Sequence, residues 1–404
     1  MERRHDLDWV RVCAFGLLVL YHVGMYYVTW DWHVNSAYAS RAAEPLMLLS
    51  APWRLSLLFL VSGVATAFLL GKRSTGFLRA RSWRLLVPLA FGMLVIVPPQ
   101  SYFEVVEKAG YADGFLAFWL RYLAADGSFC RDGRCLVLPT WNHLWFVAYL
   151  WVYTALLWLG LRLLPGVIGR AGARLSTVLS GIGLLLWPAL LLGLARIGLI
   201  GTFGSTHGLV DDWYNHVQYF GVFALGFLIA RADRVWERMQ HLRWPALAIG
   251  LACWGFLVVY FNHYSGAGSG VEITPGDAIR QFQRGIWGLF QWSAIVAILG
   301  FARHWAPGDS RALRYLSQAV FPVYILHQTV IVTLAHALKP VDMKPLLEAP
   351  LLIVATFALC FAAYEIVRRI ALLRPLFGLK RERLSRGEIA TPMSPALSPD
   401  RTAS

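Results

Sequence analysis

Charged residues are scarce in this sequence. Asp, Glu, Lys and Arg together account for 15% of its 404 residues, whereas soluble domains devote about 25% of their residues to these types. The deficit excludes a disordered protein, a coiled coil and an ordinary cytosolic enzyme. Cysteine is scarce as well, because five residues are too few for a disulfide scaffold or a cysteine-built metal site. We therefore expect no metal centre.

Several motifs with well-understood chemistry are also missing. The sequence has no Walker motif, no GxGxxG after a strand and no HExxH. These absences argue against an ATP-driven pump and a zinc protease. The sequence also lacks an internal repeat of the kind that marks many secondary transporters.

Apolar residues, in contrast, are abundant and come in long blocks. They make up 57% of the chain, and the blocks hold about 20 residues, the length at which a helix spans a bilayer core. The sequence therefore predicts an all-α, polytopic membrane bundle of about ten transmembrane helices. The predicted spans are residues 9–28, 46–70, 85–100, 143–164, 178–200, 214–230, 245–262, 284–302, 314–337 and 350–372.

The third predicted span is unusual because it contains Pro88, Pro98 and Pro99. A membrane helix tolerates proline where neighbouring groups or water satisfy the freed carbonyls. We expect this span to be kinked or to end early.

Basic residues alternate from one loop to the next. With the N-terminus in the cytoplasm, 26 of the 37 Lys and Arg residues fall on the cytoplasmic side, as the positive-inside rule requires. An even number of spans then places both termini in the cytoplasm. These loops explain the net charge of +14, so we expect a lipid bilayer and no nucleic acid as partner.

The chain divides into a membrane-embedded domain, residues 1–384, and a tail, residues 385–404. The tail is rich in Ser, Pro, Ala and Thr and has no apolar periodicity. Such a composition predicts a disordered cytoplasmic segment.

Two ionisable residues share one face of the first predicted span. An ionisable side chain at the bilayer centre costs about 2.5–3.5 kcal/mol, so those that occur are candidates for function. Arg11 lies near the cytoplasmic mouth, and His22 follows about three turns, roughly 16 Å, deeper. The pair could line a passage. The structural alternative is a snorkelling arginine and a histidine that hydrogen-bonds a neighbouring helix.

Further polar residues lie within or beside other spans. Histidine suits general-base chemistry near neutral pH, but a single histidine or an interfacial aromatic residue is equally explained by a structural role. We treat this set as acceptor-side or structural candidates. Its members are His33, Asn35, His143, Trp145, Tyr324 and His327.

Arg81 and Arg84 precede the third predicted span on its cytoplasmic side. Residues at i and i+3 share a helix face, and two guanidinium groups there could bind phosphates bidentately. The alternative is that both residues only anchor the helix at the membrane surface.

Cys130 and Cys135 lie in a loop that charge counting places on the outer face. In a bacterial inner-membrane protein this face meets the oxidising periplasm. Asp132 and Gly133 between them form a turn-prone pair that can bring the two Cα atoms into bridging range. We predict one local disulfide between these two cysteines.

Four elements, in order, resemble the acyltransferase 3 family of integral membrane acyltransferases. Arg11 with His22 is similar to its Arg-x10-His signature, and Ser62 with Gly63 to its Ser-Gly element. Arg81-x-x-Arg84 is similar to its Arg-x-x-Arg element, and the segment 324–327, Tyr-Ile-Leu-His, to its late Tyr-Leu-x-His element. The resemblance covers all ten predicted spans.

The resemblance implies an O-acyltransferase of the bacterial inner membrane. It would move a short acyl group, succinyl or acetyl, from a cytosolic acyl-CoA to hydroxyls of a periplasmic or cell-envelope glycan, with no resident cofactor. His22, with Arg11, would be catalytic, and Arg81, Arg84 and Ser62 would bind the donor. Direct transfer and an acyl-histidine relay both remain open, as do two other functions: a membrane transporter and a non-catalytic component of glycan assembly.

Overall fold

The computed structural model describes residues 4–72, 75–131, 133–265, 273–305 and 308–380. The predicted disordered tail, residues 385–404, lies outside the described residues. Asp132 of the predicted turn lies outside them too.

The described residues form an all-α bundle with a single small hairpin, β1 Cys130–Arg131 and β2 Arg134–Cys135. The helices are α1 His5–Tyr27, α2 Glu44–Ser50, α3 Arg54–Lys72, α4 Phe77–Phe91, α5 Pro98–Ala109, α6 Phe115–Leu123, α7 Trp145–Leu163, α8 Pro165–Val178, α9 Gly183–Phe203, α10 Trp213–Ile229, α11 Asp233–His241, α12 Arg243–Tyr264, α13 Asp277–Trp305, α14 Arg311–Leu338, α15 Pro345–Arg369 and α16 Leu373–Leu376.

Nine helical segments among the described residues are long and apolar enough to cross a membrane. A tenth, α10, has 17 residues, at the lower end of the range of about 17–25 that a spanning helix needs. The protein is therefore a polytopic membrane protein, as its composition predicts.

Two predicted spans differ from the observed helices. The span 46–70 is divided into α2 and α3 by a turn around Pro52, since proline lacks the N–H that a continuous helix requires. The third span was expected to be kinked or to end early, and of these two alternatives the early end is excluded. The helix passes through a π-helical segment, Gly92–Ile96, and continues as α5, whose first residue is Pro98; proline is well tolerated at that position.

Hydropathy alone did not predict the short helices α6, α8, α11 and α16. Helix α11 shows why. It is strongly polar along most of its length and buries only Val235, Trp236 and Met239 against the bundle. An amphipathic helix of nine residues contains no long apolar block, so hydropathy does not detect it.

Glycines allow the closest helix contacts of the bundle. A Cβ atom on Gly63 of α3 would lie 2.0 Å from the backbone oxygen of Phe223 on α10, and one on Gly226 would lie 2.1 Å from that of Leu60. Helices α9 and α13 approach equally closely at Gly288. Small residues of this kind let membrane helices pack backbone to backbone.

Both ends of the described chain lie at the same end of the bundle. The guanidinium of Arg4 lies 4.5 Å from the ring centre of Trp236 on α11. Near the other end of the chain, a Cβ atom on Gly378 would lie 3.4 Å from the backbone oxygen of Arg84 on α4, a residue that lines the same cavity as Arg4. This arrangement agrees with an even number of spans.

Candidate active site

A cavity of about 600 Å³ opens at the end of the bundle where the chain starts. We call it the basic cavity, because arginines from the start of α1, from α4 and from the turn after α10 surround it, together with apolar side chains, two serines and an aspartate. Its polar lining consists of Arg4, Asp8, Arg11, Ser62, Arg81, Arg84, Arg231 and Ser317.

The predicted donor-binding residues therefore come together. Arg81, Arg84 and Ser62 line one cavity, although Ser62 lies on a different helix from the two arginines. The Nη2 of Arg11 donates to the backbone oxygen of Ser317 at 3.5 Å and lies 3.5 Å from Oδ1 of Asp8. Arg11 thus belongs to the basic cavity and lies roughly 16 Å along α1 from His22.

A second cavity, of about 730 Å³, enters the bundle farther along α1, beside His22. We call it the aromatic cavity, because its lining includes Trp145, Trp287 and Tyr219. His22 faces this cavity, as does the buried guanidinium of Arg54. The aromatic cavity is the space in which His22 can meet a substrate.

Only a thin layer of side chains separates the two cavities. Trp145 lines the aromatic cavity, and the next residue of α7, Phe146, lines the basic cavity. The ring of Phe59 is fully buried and lies 4.4 Å from that of Phe146 and 6.2 Å from that of Trp145, between centroids. The cavities therefore approach the same point from different ends.

His22 and His327 form a hydrogen-bonded pair close to this layer, because the ring of Tyr324 lies 6.2 Å from that of Phe146 and 5.8 Å from that of His327. Nδ1 of His22 lies 2.8 Å from Nε2 of His327, and Nδ1 of His327 lies 2.6 Å from the backbone oxygen of Tyr324. A carbonyl oxygen only accepts, so Nδ1 of His327 carries the proton and its Nε2 accepts when the ring is neutral.

The tautomer of His22 follows from this arrangement. His22 must donate from Nδ1 to His327, which leaves its Nε2 unprotonated. Among the described residues, no group forms a hydrogen bond with this Nε2. The ring therefore offers a lone pair from the wall of the aromatic cavity, as a general base requires.

The chain matches the family model described as acyltransferase domain, acyltransferase 3, over residues 4–365. It belongs to the acyltransferase 3 family. Searches of curated proteins and of solved structures found no match. The family match identifies the protein as a membrane acyltransferase that transfers groups other than amino-acyl groups, and it favours this function over a transporter or a non-catalytic assembly component.

In this acyltransferase, His143 and Tyr324 support the histidine pair. The hydroxyl of Tyr324 donates to the backbone oxygen of His143 at 2.5 Å, and Nε2 of His143 donates to the backbone oxygen of Ile325 at 3.1 Å. Both side chains are buried. They connect the turn just before α7 to α14 at the level of His327.

Gln100 on α5 is the centre of a buried polar network behind the pair. Its Oε1 accepts from Asn142 and Gln328, both at 3.0 Å, and its Nε2 donates to Thr329 at 2.6 Å and approaches Nδ1 of His143 at 3.4 Å. Every donor and acceptor of the amide is used. Such a satisfied network fixes its surroundings.

His33 and Asn35 lie away from the aromatic cavity. The two ring nitrogens of His33 contact Glu104 at 2.5 Å and Gln328 at 2.9 Å. Asn35 donates to the backbone oxygens of Val28 and Trp30 and so stabilises a local turn. Of the acceptor-side candidates, Trp145 alone lines the aromatic cavity.

The loop between α9 and α10 forms another part of the cavity wall. His207, in this loop, stacks on Trp145 with ring centroids 4.1 Å apart. Burial lowers the pKa of His207 to about 4, against the opposing effect of Asp212. The imidazole is therefore neutral near pH 7. Asp212 accepts hydrogen bonds from the backbone N–H groups of Thr206 and His207 and fixes the loop.

The sequence carries no signal for Gln100, Asp212 or Arg231 as site residues, nor for Arg196, which lies on α9 and also lines the aromatic cavity. Arg54 offered a visible signal, because it is an arginine eight residues inside the predicted span 46–70. Arg231 belongs to the basic residues that the positive-inside rule explains, and that rule gives no indication that the residue lines a cavity. For the described residues, no group of three or more His, Cys, Asp or Glu side chains is arranged to hold a metal ion.

The hairpin β1–β2 lies beyond the active site. Cys130 and Cys135 face each other across it and are joined by a disulfide. The preceding residue, Phe129, packs with Phe118 and Tyr122 in a small apolar cluster beside α5 and α6. The hairpin follows α6 and precedes α7, whose first residue lines the aromatic cavity, so it belongs to the aromatic end of the bundle.

Proposed function

We propose that this acyltransferase moves a short acyl group, succinyl or acetyl, from cytosolic acyl-CoA to a hydroxyl of a periplasmic or cell-envelope glycan. Its place would be the bacterial inner membrane, with the basic cavity open to the cytoplasm. The observation that carries the proposal is the unprotonated Nε2 of His22, held by His327 at the point where the two cavities approach each other.

The basic cavity suits the phosphate groups of acyl-CoA. Arg81 and Arg84 on α4 and Arg231 in the turn after α10 present guanidinium groups to this cavity, and guanidinium binds phosphate oxygens bidentately. The depth of His22 along α1, about 16 Å from Arg11, requires a long extended group between the phosphates and the thioester. The phosphopantetheine arm of CoA is such a group.

The aromatic cavity suits a carbohydrate acceptor. Trp145, Trp287 and Tyr219 line it, and aromatic side chains of this kind can pack against the apolar faces of sugar rings. Polar groups in the same wall, Gln218 and Ser205, can orient hydroxyls. A largely aromatic pocket with a few placed polar groups is typical of a specific small-ligand site.

The reaction then needs two proton transfers, one from the acceptor hydroxyl to His22 and one from His22 to the CoA thiolate. Nε2 of His22 removes the proton from the acceptor hydroxyl as its oxygen attacks the thioester carbonyl carbon. The new C–O bond forms, the C–S bond breaks, and the CoA thiolate receives the proton back from His22. This direct route needs no acyl-enzyme, although a relay through an acylated His22 would use the same residue.

A finer resemblance supports a glucan acceptor. Segments 32–37, 143–146, 364–366 and 372–377 resemble those of glucans biosynthesis protein C, which is linked to succinylation of osmoregulated periplasmic glucans. Two features depart from that pattern: Gln328 and Thr329 follow His327, and the chain carries the hairpin closed by Cys130 and Cys135. Gln328 and Thr329 both join the Gln100 network.

Purified protein in detergent tests the proposal. We expect acyl-CoA and an acceptor glycan together to release free CoA thiol, and His22→Ala to lower the rate of this release by about 10²–10⁴-fold while the variant still accumulates. The matched control is His263→Ala, at the exposed end of α12, which should behave as the wild type. Near-normal turnover by His22→Ala would refute the assigned chemistry.

A test in cells identifies the product. Mass spectrometry of envelope glycans from cells with and without the protein should show the loss of one acyl mass per modified site. Unchanged glycan masses would contradict a glycan acceptor, even if the purified protein released CoA.

A further inference from the structure

Arg54 on α3 is a buried cation in the wall of the aromatic cavity. Its relative exposure is 4%, and its guanidinium lies 3.5 Å from the ring centre of Tyr21. Its Nη1 donates to Oγ of Ser50 at 3.1 Å, whereas its Nε is buried without a hydrogen bond. A guanidinium group carries five N–H donors, so these contacts leave donors for a ligand in the cavity.

Arg196 on α9 lines the same cavity in a similar environment. Its Nη1 donates to the hydroxyl of Tyr214 at 2.7 Å, and its guanidinium lies 4.0 Å from the ring centre of Trp287. Its Nε is also buried without a hydrogen bond. A ligand that packs against Trp287, which lines the cavity too, therefore meets a guanidinium group beside it.

The wall of the aromatic cavity carries more positive than negative charge. Among the described residues that line it, Arg41, Arg54 and Arg196 are basic and Glu44 alone is acidic. Within the described part of the chain, no Asp or Glu lies within ion-pair distance of Arg54 or Arg196. Intramembrane charges are normally paired with one another or line a substrate path. These two arginines have no acidic partner, so we assign them to a substrate path.

The two arginines act on the same part of the cavity. The hydroxyl of Tyr219, which also lines the cavity, interacts electrostatically with both guanidinium groups. The charge of Arg54 also acts on the imidazole of His22. An anion bound by these arginines is therefore held in the region where His22 meets the acceptor hydroxyl.

We propose that Arg54 and Arg196 bind a negatively charged group of the acceptor, a phosphate ester or a carboxylate, so that the acceptor is an anionic glycan. The inference rests on the proposed function, since it assigns a charge to the acceptor in the same cavity. The phosphates of the donor have their own arginines in the basic cavity, and Arg196 lies beside Trp287, one of the rings assigned to the sugar. A neutral glycan would leave both guanidinium groups without an anion.

The geometry of the guanidinium group fits this class of ligand. The group is planar and its N–H bonds lie in that plane, whereas the ring of Tyr21 lies over the guanidinium of Arg54. A ring in this position leaves in-plane donors accessible. Two parallel N–H bonds of this kind match the oxygens of a carboxylate or a phosphate.

Three monosaccharides that differ only at C6 test the charge of the acceptor: glucose, glucuronate and glucose 6-phosphate. Calorimetry with purified protein in detergent, without a donor, measures their dissociation constants. We expect the wild type to bind at least one anionic sugar about 10- to 100-fold more tightly than glucose, since hydrogen bonds to charged groups are among the strongest. The anionic sugar that binds more tightly identifies the bound group as a carboxylate or a phosphate.

Variants of the two arginines should remove this preference. Arg54→Gln and Arg196→Gln should each bring the affinity for the anionic sugar to within about threefold of that for glucose. Arg54→Lys and Arg196→Lys keep the charge without the bidentate geometry and should retain part of the preference. The lysine variants also guard against misfolding of the glutamine variants.

Two control variants should keep the wild-type preference. Arg84→Gln removes a guanidinium from the basic cavity and so detects a sugar phosphate that binds there instead. Arg280→Gln changes an arginine of α13 that contacts Pro275 and Asp277 instead of the cavity.

Equal affinity of the wild type for the three sugars, or no measurable binding of any of them, would overturn the inference. A preference lost in Arg84→Gln but kept in Arg54→Gln and Arg196→Gln would also overturn it, because the anion would then lie in the basic cavity. So would Arg54 and Arg196 variants that lower only kcat/KM for acyl-CoA, because the guanidinium groups would then serve the donor. None of these results affects the proposed function, which fails only if no donor releases CoA in an acceptor-dependent reaction or if His22→Ala retains near-normal turnover.

Discussion

Replacing His327 with alanine should slow catalysis although His327 acts through His22 instead of contacting the substrate. His327 accepts the Nδ1 proton of His22 at 2.8 Å and is itself fixed by the backbone oxygen of Tyr324. In His327→Ala the Nδ1–H of His22 loses its acceptor. The ring can then rotate or change tautomer, and Nε2 is no longer held as a base toward the aromatic cavity.

The size of the expected decrease in kcat follows from the lost hydrogen bond between His22 and His327. Leaving a buried donor unsatisfied costs about 1–3 kcal/mol, and each 1.36 kcal/mol in a barrier is tenfold in rate. We therefore expect kcat of His327→Ala to fall about 5- to 150-fold, with KM for acyl-CoA unchanged. The loss in His22→Ala should be larger, about 10²–10⁴-fold, the usual contribution of a general base.

Thiol release by purified variants measures both values. His327→Gln offers an amide oxygen as a substitute acceptor and should recover part of the lost rate. The double variant His22→Ala/His327→Ala should be no slower than His22→Ala alone, because the two residues act as a unit. Additive losses in the double variant, or a rate for His327→Ala within twofold of the wild type, would refute the reasoning.

Three other predictions test the donor site, the helix packing and the hairpin. Arg84→Lys should raise KM for acyl-CoA about tenfold with little effect on kcat, since an ammonium group cannot bind phosphate bidentately; a change in protein abundance alone would favour an anchoring role. Gly63→Ala should lower the melting temperature in detergent, because overpacking costs about 1–3 kcal/mol, whereas Gly16→Ala, with nothing within 4 Å of the new Cβ, should not. Non-reducing peptide mapping should find Cys130 linked to Cys135; reaction of both with a membrane-impermeant thiol reagent in untreated cells would contradict this.

Most of the bundle could be predicted from the sequence, because membrane spans are long and uniformly apolar. The helix break near Pro52 and the π-helical continuation before Pro98 could not. Hydropathy measures the apolar content of a segment, whereas backbone hydrogen bonding decides where a helix is interrupted. A proline can interrupt a helix, as Pro52 does, or begin a helical segment, as Pro98 does. The sequence alone does not distinguish the two cases.

The candidate site was only partly predictable for a different reason. The family motifs identified His22 and His327 separately, but these residues are 305 positions apart, and no local pattern predicts that their rings touch. Arg54 and Gln100 occur singly, without a motif. Their roles depend on partners from other helices, which only the fold brings together.

The thin layer between the two cavities has an electrical consequence. Trp145 and Phe146 are adjacent on α7 yet belong to different cavities. When water fills both cavities, the membrane voltage falls mainly across these aromatic rings instead of across about 30 Å of hydrocarbon. A unit charge that crosses the full voltage changes its energy by about 2.3 kcal/mol per 100 mV. In proteoliposomes, a negative voltage on the donor side should therefore accelerate transfer of an anionic acyl group and leave acetyl transfer unchanged. If voltage changes the rates of anionic-acyl and acetyl transfer equally, the acyl group does not cross the membrane field. If it changes only the rate of anionic-acyl transfer, the membrane potential is a driving force for glycan modification.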